Sequence, residues 1–147
     1  MIRRLAWFLA LAGALPFVLA TAAIWSSEAS HIRVPAITAL VTYSAVILSF
    51  LGGIEWGLAI REEAGTESTR AVALGLSTVS SLAAWALLWL PNPVWQVGTA
   101  LALIVGVWAA DQWMAGRGLL PTWFVDLRTA ASAVVAASLA AALAKLA

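Results

Sequence analysis

Five apolar runs, at roughly 5–25, 36–60, 71–90, 94–114 and 128–146, take up nearly all of a 147-residue chain. A helix crossing the hydrocarbon core of a bilayer needs about 20 mostly apolar residues, and each run is close to that length. The connections are too short to hold a soluble domain. With 63% hydrophobic and 10% charged residues, the chain cannot clothe a water-facing surface, for which about a quarter charged is usual. The expectation is one all-α domain over residues 1–147, an integral membrane bundle of five transmembrane helices.

The first run, MIRRLAWFLALAGALPFVLATA, has the arginines and apolar centre of a secretory signal. It continues to Trp25 without a polar cleavage region, so it reads as a retained first helix. Of the eight Lys and Arg residues, Arg3, Arg4, Arg61, Arg70, Arg117 and Arg128 fall on one side of such a bundle. Arg33 and Lys145 fall on the other. Basic residues in short connections stay cytoplasmic, which predicts an N-terminus in the cytoplasm and a C-terminus outside. The tryptophans agree: Trp7, Trp56, Trp113 and Trp123 lie near the inner boundary, and Trp25, Trp85, Trp89 and Trp95 near the outer one. Only Trp108 is left deep, and packing explains it better than a ligand does.

Several chemistries have no residues to run on. The chain has no cysteine, so no disulfide, thiolate or Cys-ligated metal is expected. The single histidine, His31, sits in a loop with no metal-ligand pattern around it. A net charge of +1 argues against nucleic acid as a partner. No nucleophile–base pair or phosphate loop is legible, so no catalytic residues and no enzyme are expected. Nothing in the pattern names a cofactor.

The most informative stretch is ILSFLGGIEWG, residues 47–57. At 100° per residue, Thr42, Val46, Ser49, Gly53 and Gly57 form one ridge of small residues, of the kind that lets two helices approach closely in lipid. Glu55 points the opposite way with Ser44, Leu48, Gly52 and Ala59. An acid in the bilayer centre costs about 2.5–3.5 kcal/mol, so helix two is expected to be enclosed on both faces. Helix four repeats the pattern, with Gly98, Ala102, Gly106 and Ala109 on a ridge and Asp111 turned away from it. Both helices run from outside to inside, which brings Glu55 and Asp111 to one depth. A polar cluster of Glu55, Asp111 and Arg128 is predicted there, with Asp126 and Tyr43 or Ser49 in support. Three readings stay open: a structural clamp pairing Glu55 with Arg128 or Arg61, a proton or ligand site, and no mutual contact. PTWFVDLR, residues 121–128, reads as a segment lying in the headgroups before helix five, anchored by Trp123 and Phe124.

ILSFLGGIEWG resembles the signature of the bacterial membrane family known as domain-of-unknown-function family 3429, relatives of a small mitochondrial transmembrane protein. Pro16-Phe17, Tyr43, Ala84-Trp85, Asp111, Pro121, Trp123 and Leu127-Arg128 are similar to the family's pattern too, and together they cover nearly the whole chain. Members similar to this pattern often carry histidine at the position of Glu55, which implies a need there for a titratable or hydrogen-bonding group. The resemblance implies an inner-membrane location and supplies no activity. Five helices and many tryptophans are also shared with the tryptophan-rich sensory proteins, but that family's first-loop prolines and tryptophans are missing from SSEASHIRVP.

Two functions are therefore expected. The first is an accessory, assembly or structural subunit that meets other membrane-complex subunits, or a second copy, through its small-residue ridges. The alternative is a protein that binds a small molecule or translocates a proton or solute through Glu55 and Asp111. The lipid bilayer is a partner in either case.

Overall fold

The computed structural model describes residues 1–61 and 65–147. Five α-helices account for almost all of them: α1 (Ile2–Ser26), α2 (Ser30–Ala59), α3 (Glu67–Ala86), α4 (Pro93–Ala115) and α5 (Thr122–Leu146). A single 3-10 turn, Leu87–Trp89, continues α3. All five are long and apolar enough to cross a membrane, and no strand occurs among the described residues.

The helix starts follow local chemistry and in places depart from the sequence reading. Thr66 caps α3, its hydroxyl accepting from Thr69 N–H at 3.3 Å. Asn92 caps α4 by accepting from Val94 N–H at 2.7 Å, with Pro93 in the first helical position, where its missing N–H costs nothing. Helix α2 begins at Ser30, before the expected 36, so Pro35 lies inside the helix rather than opening it. The carbonyl of Ala29 already accepts from Ile32 and Arg33, which starts the helix upstream of the proline. TWFVDLR is not a separate interfacial segment. Pro121 caps α5 and this stretch is its first two turns, which aims Arg128 into the bundle.

Helix α2 packs on α1, α3 and α4, while α5 packs on α1 and α4. No contact joins α2 to α5. Register shows the directions. Ser80 Oγ donates to the Leu48 carbonyl and a Cβ on Gly52 would meet Ser77, so α2 and α3 are antiparallel. Thr21 Oγ1 donates to the Ser138 carbonyl and Trp25 Nε1 to the Ala141 carbonyl, so α1 and α5 are parallel. The chain begins at what is here called the near end, with Arg3, Arg61, Arg117 and Arg128; Arg33 and Lys145 sit at the far end.

The main core fills the middle and far half, around Phe17, Ile24, Leu40, Leu48, Val97 and Leu139, each almost wholly buried. A smaller cluster of Ala59, Ala73, Met114, Leu119 and Leu120 closes part of the near end. Helix α1 buries Ala14, Phe17, Thr21 and Ile24 and nothing before them.

The expected enclosure of α2 does not hold. Its buried face is the acid's own face: Leu40, Ser44, Leu48, Gly52, Glu55 and Ala59. Ser49, Gly53 and Gly57 are exposed, and a Cβ on either of those glycines would meet nothing among the described residues. The glycine that packing requires is Gly52. A Cβ there would lie 2.7 Å from the Ser77 carbonyl oxygen and 2.8 Å from Ser81 Oγ. Helix α3 offers serines at this crossing because small hydroxyl side chains allow the approach while bonding to their own helix, as Ser77 and Ser81 do. On α4 the ridge is likewise mostly outward. Ala102 and Gly106 are exposed, and only Gly98 meets a neighbour, the Leu143 methyls at 4.0 Å.

Candidate functional site

Three ionisable groups are brought together at the near end inside the bundle. Asp111, one turn before the end of α4, accepts from Arg128 Nε at 2.8 Å, and both side chains are buried. Antiparallel α4 and α5 make this pairing, because the last turn of one lies beside the first turns of the other. Two charges removed from water cost several kcal/mol each, and their attraction offsets this only when the geometry is good. The geometry here is a direct charge-assisted hydrogen bond.

Glu55 is 2% exposed and hydrogen-bonds to nothing among the described residues through either carboxyl oxygen. It lies within Coulombic reach of both Asp111 and Arg128. Of the predicted trio, Asp111 and Arg128 are joined directly and Glu55 is bonded to neither, so the partner of Arg128 is Asp111, not Glu55. The reason is register: Asp111 occupies the facing turn of the helix against which α5 packs, whereas α2 does not touch α5. A buried polar group left without a hydrogen bond costs about 1–3 kcal/mol, so Glu55 is a standing cost for the fold.

Two residues expected in support lie elsewhere. Tyr43 points to α1, where its hydroxyl donates to the Gly13 carbonyl at 2.9 Å and its ring lies 5.1 Å from that of Phe17. Asp126 is exposed and forms no ion pair among the described residues, because it sits half a turn round α5 from Arg128. Arg61, the other candidate clamp for Glu55, is exposed as well. Trp123 and Phe124 stack edge to face at 5.8 Å, and Arg3 lies 5.6 Å from the Trp123 ring centre.

Sequence reasoning missed other polar contacts. Beside the ion pair, Trp108 Nε1 and Gln112 Nε2 both donate to Thr129 Oγ1 at 3.1 Å. The four-residue spacing of Trp108 and Gln112, with Thr129 next to Arg128, was the available signal. At the far end Glu28 bridges Arg33 and Lys145. Lys145, through its hydrogen bond and its charge, and then Arg33 hold the Glu28 carboxyl below its ordinary value. No sequence spacing announces that latch, which joins positions more than a hundred residues apart.

Arg128 also lines an apolar cleft of about 310 Å3 between α1, α2 and α5. Among the described residues, no group of three or more His, Cys, Asp or Glu side chains is placed to hold a metal.

Residues 2–144 match the family described as "Protein of unknown function (DUF3429)". The chain belongs to this family. It is also similar to transmembrane protein 69 of Xenopus tropicalis, 34% identical over 134 residues, which cover 91% of this chain and 51% of that one. The chain therefore spans about half the length of that relative. No solved structure matches. As a DUF3429 member with five apolar helices, it is a multi-pass membrane protein.

Proposed function

We propose that this DUF3429 protein is a non-enzymatic accessory or assembly subunit that docks on a larger complex of the bacterial inner membrane. Its N-terminus is taken to be cytoplasmic and its C-terminus outside. Orientation rests on the charges, since six of the eight basic residues fall at the near end. Docking rests on one observation, the uncovered seam of α2. Ser49, Gly53 and Gly57 face outward in a row, and neither glycine is needed for packing within the chain. Glycine inside a helix costs about 1 kcal/mol relative to alanine. In lipid the compensation is close approach of another helix, with van der Waals contact and weak Cα–H hydrogen bonds. Among the described residues no helix covers the seam, so it suits one from another subunit.

The test uses Gly53→Leu and Gly57→Leu. Both side chains enter open space in the monomer, so melting in detergent should hold or rise. After gentle-detergent purification the wild type should carry a stoichiometric partner chain, and each variant should lose it. A wild type that purifies alone, or as a homodimer, overturns this reading, as does a partner that survives both changes.

One observation favours a second reading, a small-molecule or proton-handling role: Glu55 is buried with no partner among the described residues. Uptake into reconstituted vesicles that depends on pH and is abolished by Glu55→Gln would support it. Uptake indifferent to that change would remove it.

A further inference from the structure

We infer that the cleft between α1, α2 and α5 binds an anionic phospholipid of the near-end leaflet, its phosphate on the free edge of Arg128 and one acyl chain along the cleft.

The cleft follows from how α1 meets the bundle. Helices α2 and α5 do not touch, and in the far half Phe17 and Ile24 of α1 fill the space between them. Nearer its start α1 offers Ala6, Leu9, Ala10, Gly13 and Ala14 to that space, with Leu9 at its open edge and more than half exposed, while Leu5 and Phe8 lie outside the lining. The gap left is about 310 Å3, within the usual range for ligand sites of about 300–1,000 Å3. Among the described residues, Arg128 and Ser132 are the only polar ones on its wall.

Arg128 indicates the occupant. A guanidinium carries five N–H donors. Asp111 takes the one on Nε, and neither terminal nitrogen is hydrogen-bonded among the described residues. The side chain is 8% exposed, so bulk water has little access to it. Within lipid, donors must be met by protein or by what the lipid brings. The complement of a planar donor fork is a phosphate, and the complement of the remaining wall is an acyl chain.

Depth agrees. The cleft runs from Ala6 to Phe17 on α1, about 16 Å at 1.5 Å per residue. The contacts of Arg3 with Trp123 and of Thr21 with Ser138 place Arg128 level with Phe8 to Leu11, in the part of the cleft towards the near end. Beyond it the wall is apolar towards mid-membrane, and below it Arg3 adds a second positive charge at the mouth. A phospholipid stands in its leaflet in that order. The acids nearby oppose this anion: Asp111 is bonded to Arg128, and Glu55 lies within its Coulombic reach.

The experiment is native mass spectrometry on delipidated protein in detergent, with dioleoyl phosphatidylglycerol or dioleoyl phosphatidylcholine added at equal concentration. Phosphatidylglycerol should be retained about tenfold better, equivalent to about 1.4 kcal/mol. Glu55→Gln should raise that preference, and Arg128→Lys, which keeps the charge but loses the fork, should lower it. Ala131→Leu fills the cleft without touching a charge and should abolish retention with the melting point unchanged. This arm stands even if the arginine variant folds poorly. Equal retention of the two lipids, retention indifferent to Ala131→Leu, or binding of palmitate in place of phosphatidylglycerol overturns the assignment. The docking reading of α2 is independent of each of these outcomes.

Discussion

Removing Arg128 should cost far more than removing both members of its ion pair. The pair is buried, 2.8 Å between Nε and Asp111 Oδ2, with 8% and 3% of the two side chains exposed. Breaking such a pair by deleting one partner typically costs about 3–5 kcal/mol, because an uncompensated charge stays behind. Arg128→Gln falls at the upper end of that range, since it leaves two buried acids, Asp111 and Glu55, within Coulombic reach of each other without the cation that attracts both. Asp111→Asn should cost less, because Arg128 keeps Glu55 within reach. Replacing the pair together, Asp111→Leu with Arg128→Met, should be neutral or stabilising by about 1–4 kcal/mol. The assay is reversible unfolding in mixed micelles, with Asp111→Asn and Arg128→Gln combined in one chain to close a double-mutant cycle. A coupling energy on the order of 3 kcal/mol is expected for two groups in direct contact. Single losses that add to within about 0.5 kcal/mol would falsify the pairing. A coupling near 0.6 kcal/mol, the average for interhelical hydrogen bonds in a well-studied membrane protein, would mean that water already reaches the site. The buried geometry would then have no energetic weight.

The adjacent glycines of α2 give an internal control. Gly52→Ala places a Cβ 2.7 Å from the Ser77 carbonyl oxygen and should destabilise by about 1–3 kcal/mol, as overpacking does. Gly53→Ala enters open space and should be neutral or gain up to about 1 kcal/mol in helix propensity. Melting in one detergent compares them, and equal effects would contradict the α2–α3 crossing. At the far end, Lys145 and Arg33 hold the folded-state pKa of Glu28 below the ordinary 4.5. A depressed carboxylate stabilises above its unfolded pKa and loses that contribution as pH falls through the folded one. The wild type should therefore melt slightly above Glu28→Gln from neutrality down to about 4.5, with the difference vanishing below. The gap is small because Glu28 is exposed, and a gap that widens in acid would refute the latch.

The helices were legible because lipid imposes a length and a polarity that sequence displays directly. That Asp111 and Arg128 could reach each other was legible for the same reason: ionisable residues at one depth of a small bundle have few places to go. What failed was the inference about faces. Gly53 and Gly57 were read as packed because small residues usually are, and Glu55 was read as needing a second, separate neighbour. In the structure one face of α2 does both jobs, with Gly52 and Glu55 on it. A period of 3.6 residues sorts side chains into faces without saying which face is inside, and the usual arbiter, hydrophobicity, is silent where both faces are apolar. The choice of Asp111 over Glu55 as the arginine's partner was unreadable as well. It depends on α5 packing against α4 and missing α2, a property of the whole bundle.

The two ends of the molecule divide the work of holding and offering. At the far end, three residues join α1 to α2, Glu28 bridges Arg33 and Lys145, and Trp25 Nε1 donates to the Ala141 carbonyl. The main core extends from that end to the middle of the bundle. At the near end α1 leaves a cleft against α2 and α5, lined from its side by Ala6, Leu9, Ala10 and Gly13, and the buried charges are gathered there. A bundle tied at one end can carry an unpartnered acid and an unfilled cleft at the other, because the core that decides whether it folds is elsewhere. Substitutions such as Ala131→Leu or Gly53→Leu should then change what the protein holds without changing whether it folds. Cutting into Ile24 or Leu139, both wholly buried and neither on the wall of the cleft, should do the reverse, at about 2–5 kcal/mol for truncation to alanine.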